Sequence, residues 1–288
     1  MSVGSLAVLD NGYLASGSLD KTIKIWNTDD GSLINTLTGH TDSINTILAL
    51  GNGLLASGGV ENKIIIWNTN DMSLVRTLTT DQSPVNTLAK LKNGYLVSGS
   101  QDTNNKTIQI WNVDDGSLIQ TISGHESFVM ALTVLKSGYL ASGGFDRSIK
   151  IWRTSWSELV NTIYGHSAVI SVLLALENGN FASGSFDKTI KIWDANDFSL
   201  IKTITGHQNS IFTVAELKNG LLASSGLDMT IKIWNISSNS VTTSDSTLIT
   251  SSATIESTTA IPTTSITTSH DSCKILLFFS YSVKLNFI

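Results

Sequence analysis

Cysteine is almost missing from this chain: Cys273 is the single one in 288 residues. One thiol excludes an internal disulfide and is too few for a zinc cluster, which fits a reducing compartment. Basic blocks are missing as well. With 18 Lys and Arg against 23 Asp and Glu the formal net charge is −5, so the electrostatic footprint of a nucleic-acid binder is absent and no such partner is expected. The opening "MSVGSLAVLDNGYLASGS" has neither a basic leader region nor a long apolar run; no signal peptide or transmembrane helix is expected there, and no membrane partner. The chain reads as cytoplasmic, with the nucleus open. The sequons at Asn105 and Asn235 carry no weight in that setting. Helical periodicity of useful length is also lacking, yet 41% of the residues are hydrophobic, enough to build a core.

What the chain has is a repeat. Trp26, Trp67, Trp111, Trp152, Trp193 and Trp234 are separated by 41, 44, 41, 41 and 41 residues, a period that takes precedence over any residue-level reading. The one long unit carries "SQDTNNKTIQIW" where the first has "SLDKTIKIW", so its three extra residues fall in turn chemistry and lengthen a loop. Within a unit the period is that of strands: Ile23 and Ile25 point to one side of "KTIKIW" and Trp26 to the other. Further runs, "SLAVL", "YLASGS" and "SLINTLT", are bounded by Asn-Gly and Asp-Asp-Gly turns, which predicts four short strands per unit. Such a sheet, apolar on both faces, is stable only when stacked against copies of itself, and radial stacking does this.

Four units open with Gly-His: Gly39-His40, Gly124-His125, Gly165-His166 and Gly206-His207, each histidine at one constant spacing ahead of the next tryptophan. With the period, this pattern resembles the WD-repeat β-propeller family over roughly residues 1–245. The resemblance implies an all-β propeller of six clear blades, each a four-stranded antiparallel sheet. Departures are visible: Thr80-Asp81 replaces Gly-His in the third unit, Glu61 replaces the turn aspartate in the second, and only Trp193 is followed by aspartate.

The resemblance also assigns a role to a recurring Ser, His, Asp and Trp set. It implies hydrogen-bonded tetrads of His40, Ser57, Glu61 and Trp67; His125, Ser142, Asp146 and Trp152; His166, Ser183, Asp187 and Trp193; and His207, Ser224, Asp228 and Trp234. A catalytic triad would use the same residue types, but a catalytic site is one pocket, whereas this set recurs. No Gly-x-Ser-x-Gly elbow stands between a strand and a helix. The tetrads are therefore expected to be structural and the chain not an enzyme. The Gly-rich "SGS" runs lack the lysine of a phosphate loop, and histidines one period apart make a poor metal cluster. No cofactor or metal is expected. Lys24, Lys150, Lys191 and Lys232 share one strand position and read as snorkelling stems.

Function should lie where near-identical units differ. The resemblance places three residues of each unit on the rim of the central channel. They are Ser2, Gly4 and Leu19; Ser43, Asn45 and Val60; Pro84, Asn86 and Gln101; then Phe128, Met130 and Phe145; Val169, Ser171 and Phe186; and Ser210, Phe212 and Leu227. Units 1 to 3 are mostly small or polar there, while units 4 to 6 turn aromatic. The expectation is an apolar rim patch made by Phe128, Met130, Phe145, Val169, Phe186, Phe212 and Leu227, presented to a protein or peptide. The competing reading has these side chains fold down and complete the core. The family implies a non-catalytic scaffold, a monomeric propeller within a larger complex. The alternative is a substrate-recognition or sensor module from a larger regulatory enzyme, of ubiquitin-ligase or signalling-ATPase type.

The ends read differently. Aligned on the second unit, the first lacks a Gly-His and an upstream outer strand. Serine and threonine make up most of the stretch from Ser237 to His270, a low-complexity composition, so 246–288 is set apart as a tail. Its closing run, "KILLFFSYSVKLNFI", is too short to span a bilayer. A strand added to the open propeller edge, a degenerate seventh blade, and a chain end foreign to the domain all remain open.

Overall fold

The computed structural model describes residues 3–81, 84–100, 106–155, 157–217 and 220–236. Ser2, Gln101 and the whole tail, with the seventh blade left open above, lie outside them. Within them the chain is an all-β propeller of six blades and contains no helix. Blade 1 comprises β1 (Val3–Val8), β2 (Leu14–Ser18), β3 (Thr22–Trp26) and β4 (Leu33–Thr38), paired in sequence order as an antiparallel meander. Blades 2 to 5 repeat this over 44–79, 85–122, 129–164 and 170–204. Blade 6 has three described strands, Ile211–Glu216, Leu221–Gly226 and Ile231–Asn235.

The alternation predicted from sequence sets the two faces. Leu14 is opposite Trp26 and Ser16 opposite Lys24, on one face; Ala15 is opposite Ile25 and Gly17 opposite Ile23, on the other. The first face meets the preceding blade and the second the following one. Between blades 1 and 2, for example, Ala15, Ile23 and Ile25 pack against Ile47, Leu55 and Trp67. Equivalent clusters join blades 2 and 3, 3 and 4, 4 and 5, and 5 and 6. These cores lie between blades rather than within one, which is why a single repeat cannot stand alone. From blade 1 to blade 6 each inner strand packs beside the next. Positions equivalent in sequence are therefore also equivalent from blade to blade.

Candidate functional site: histidine networks and the aromatic rim

Four networks of one geometry run through blades 2, 4, 5 and 6. In blade 5 the ring of His166 bridges two partners: Nδ1 lies 2.8 Å from Asp187 Oδ2 and Nε2 lies 2.7 Å from Ser183 Oγ. Trp193 donates its indole N–H to the same hydroxyl at 2.8 Å. One assignment satisfies every atom: Nδ1–H donates to the carboxylate, Ser183 O–H donates to Nε2, and Ser183 Oγ accepts from the indole. The backbone N–H of Ser167 and the N–H and hydroxyl of Thr189 also donate to Asp187. His125, Ser142, Asp146 and Trp152 reproduce this arrangement, as do His207, Ser224, Asp228 and Trp234. In blade 2, His40, Ser57 and Trp67 do the same with Glu61 as the acid. All predicted tetrad members are thus brought together.

The glycine before each histidine has a steric reason. A Cβ on Gly165 would stand 2.5 Å from Cη2 of Trp193, and one on Gly39 would be 2.9 Å from Cη2 of Trp67; real Cβ contacts do not reach that range. The indole is clamped between the glycine and the serine.

Burial and hydrogen bonding compete in these networks. Burial pushes the His40 and His207 imidazoles below their ordinary range, against the opposing pull of Glu61 and Asp228. For the carboxylates burial acts upward and is outweighed. Bonds from Thr230, the Gln208 N–H and His207 hold Asp228 at about 2. His125 and two backbone N–H groups hold Asp146 far below its ordinary value, and His166 with Thr189 does so for Asp187. Each serine is fully or almost fully buried, with its hydroxyl engaged by imidazole and indole. This arrangement holds each imidazole between a carboxylate and a buried hydroxyl.

Two framework contributions escaped the sequence reading. The Ser or Thr two residues after the turn acid (Thr22, Ser148, Thr189, Thr230) anchors the carboxylate in four blades; the repeated Asp-x-Ser/Thr was the available signal. Among the middle residues of the rim sets, Asn45, Asn86 and Ser171 donate to Val85 O, Val129 O and Ile211 O of the following blade. These positions, expected on the rim, are ties between blades.

The aromatic residues expected on the rim have a definite geometry. Phe128 and Phe145 meet edge to face within blade 4, with centroids 5.1 Å apart. Phe186 of blade 5 and Phe212 of blade 6 do the same between blades at 5.7 Å. All four rings, with Met130 and Val169, are half-buried, and Leu227 is 46% exposed. Met130 Sδ is 2.8 Å from Asn86 Nδ2. Each ring thus packs against its partner while remaining partly exposed. Backbone bonds Phe145 N–H to Phe128 O, Phe186 N–H to Val169 O and Leu227 N–H to Ser210 O fix the rim residues of each blade together. A second exposed apolar feature lies near the start of the outer strands, in the pairs Leu33-Ile34, Leu74-Val75, Leu118-Ile119 and Leu200-Ile201 of blades 1, 2, 3 and 5, with Leu159 alone in blade 4. It recurs from blade to blade, as framework does.

A ring of four-stranded blades pinned by buried His, acid, Ser and Trp networks defines a repeat β-propeller. The family model for "WD domain, G-beta repeat" matches residues 2–27, 31–68, 72–112, 116–153, 157–194 and 198–235, and the chain belongs to that family. No curated protein matches the chain. Propellers of this family are generally non-catalytic scaffolds for proteins or peptides.

Proposed function

We propose that this propeller is a non-catalytic interaction scaffold whose binding site is the aromatic arc on the rim of blades 4 to 6. The observation that carries the reading is the asymmetry of an otherwise repeated ring. At equivalent positions Ser43 and Pro84 give way to Phe128, Asn45 and Asn86 to Phe212, and Val60 and Gln101 to Phe145 and Phe186, and the four rings form two edge-to-face pairs. Half-exposed aromatics flanked by a methionine suit the capture of an apolar segment of a protein or peptide, because large rigid rings bury area at little entropic cost. The buried networks supply stiffness and no chemistry.

The experiment compares capture of partners by the wild-type chain and by two variants. Leu227→Lys puts a charge on the exposed end of the arc without removing core volume. Phe128→Ser/Phe145→Ser/Phe186→Ser removes the arc. Both should release partners that the wild type retains; Leu227→Lys should melt with the wild type. A control, Leu200→Ser/Ile201→Ser on an outer strand, should retain them. Retention by both rim variants would refute the site.

A further inference from the structure

Six blades in succession make five inter-blade cores, and among the described residues no sixth core joins blade 6 to blade 1. Both flanks of this seam carry the residues that are buried elsewhere. On blade 6, Ile231 is 37% exposed and Leu217, Ala223 and Ile233 are half-buried, whereas their blade 5 counterparts Ile190 and Ile192 are 0% and 4% exposed. On blade 1, Val3 is 37% exposed and Leu6, Leu14 and Trp26 are half-buried, against 0% for Leu55 and 2% for Trp67 in blade 2. Met229, 70% exposed, adds apolar surface where blades 1, 4 and 5 place Lys21, Arg147 and Lys188. Two apolar sheet faces therefore border one gap.

The two faces are not built to close on each other. At every joined interface a glycine in the second strand admits a β-branched residue of the next blade. A Cβ on Gly17 would meet Ile44 Cγ2 at 2.9 Å, on Gly58 Val85 Cγ1 at 2.5 Å, on Gly99 Val129 Cγ1 at 2.8 Å, and on Gly143 Ile170 Cγ2 at 2.7 Å. Blade 6 has Ser225 at this position. Its Cβ occupies the space that Val3 would need for the same packing, either in this chain or in a second copy docked head to tail.

The sequence contains a segment with a matching requirement. From Phe279 to Phe287 apolar and polar residues alternate without a break, Phe279, Tyr281, Val283, Leu285 and Phe287 against Ser280, Ser282, Lys284 and Asn286. That is the pattern of a strand with one face to bury. Where strands after the other tryptophans place Leu37, Leu78, Ile122, Ile163 or Ile204 in the core, the corresponding residue after Trp234 is Asp245, so the stretch directly following blade 6 does not supply that cover. The chain between Ile236 and Phe279 has a reach of about 35 Å if flexible, and a tether of this kind holds its end at roughly millimolar effective concentration.

We propose that residues 279–287 dock in cis on the open seam, with Phe279, Tyr281, Val283, Leu285 and Phe287 covering Ile231, Ile233 and Leu217 of blade 6 and the Trp26 flank of blade 1. The occupant is this segment, and not a second copy or another protein.

Amide hydrogen exchange on the full chain tests this, followed at Val3–Val8 and Ile231–Asn235 with blades 3 and 4 as internal reference. Val283→Asp/Leu285→Asp should speed exchange in both flanking strands by about tenfold or more while the reference blades hold. Ser282→Asp/Asn286→Asp, on the opposite face, should change nothing. Wild-type protection should not depend on protein concentration. Equal behaviour of the two variants, or flanks indifferent to both, would overturn the proposal. Protection lost on dilution would assign the seam to a second copy and overturn it too, and protection gained only with added extract would assign it to another protein. Should the first variant lose its reference blades as well, spin labels on native Cys273 and on Met229→Cys in the otherwise unaltered chain decide. A single short distance supports docking, and a broad distribution refutes it.

Discussion

Ser183→Ala gives the sharpest test of the buried networks. The hydroxyl is 0% exposed and serves two groups, His166 Nε2 at 2.7 Å and the Trp193 indole N–H at 2.8 Å. Its removal leaves an imidazole nitrogen and an indole N–H buried without their partner. At about 1–3 kcal/mol per orphaned group the loss is about 4 kcal/mol. For a domain of this size that lowers Tm by roughly 8–16 °C. Blade 3 provides the internal comparison. There Asp81 stands where the histidine belongs, and Ser98 accepts only the Trp111 indole, at 3.0 Å, among the described residues. Ser98→Ala orphans one group and should cost about half as much, about 2 kcal/mol. Urea midpoints at constant m-value measure both. Equal losses in the two variants, or a Ser183→Ala loss under about 1 kcal/mol, would refute the reading of the imidazole as a structural member of the network.

Two further outcomes follow from the same physics. Because burial depresses the His40 and His207 imidazoles, the unfolded chain binds protons that the folded one refuses; stability is fully present above about pH 6.5 and falls as pH drops below it. The depressed carboxyls of Glu61, Asp146, Asp187 and Asp228 add a second loss below about pH 4. A urea midpoint unchanged between neutral pH and pH 5 would contradict the first phase. At the blade interfaces, Gly184→Ser should destabilise by about 1–3 kcal/mol, since its Cβ would stand 2.7 Å from Val172 Cγ1 and 3.0 Å from Ile211 Cγ2. Ser225→Gly, at the seam, should stay within about 1 kcal/mol of wild type; thermal melts of the pair check the contrast.

Much of the fold was legible because a repeat supplies its own comparison. Six tryptophans at near-constant spacing, with Ile23 and Ile25 alternating against Trp26, determine the number of units and the strand period and set Ile and Trp on opposite faces; which face meets which neighbour came from the folded packing. The tetrads were legible through the resemblance that the repeated Gly-His and Trp pattern carries, down to Glu61 standing in for aspartate, because a carboxylate one methylene longer still reaches His40 Nδ1 at 2.5 Å. Solvent exposure of the rim was less so. A sequence places Phe128 and Phe145 at opposite ends of one hairpin, but only the folded geometry turns their rings onto one another. Asn45, Asn86 and Ser171 read as rim polarity, while their bonds to the neighbouring blade depend on how closely inner strands approach. The seam was hidden in a single letter, Ser225 in a column of glycines, whose meaning emerges once Ile44, Val85, Val129, Ile170 and Ile211 are seen filling the space each glycine leaves.

The most direct test of the central claim is the exchange footprint of a captured partner on the propeller. Slowed exchange is expected only in the loops and strand ends carrying Phe128, Phe145, Val169, Phe186, Phe212 and Leu227, with blades 1 to 3 unchanged. A footprint on the outer strands, over Leu33-Ile34, Leu118-Ile119 and Leu200-Ile201, with the aromatic arc left unprotected, would contradict it.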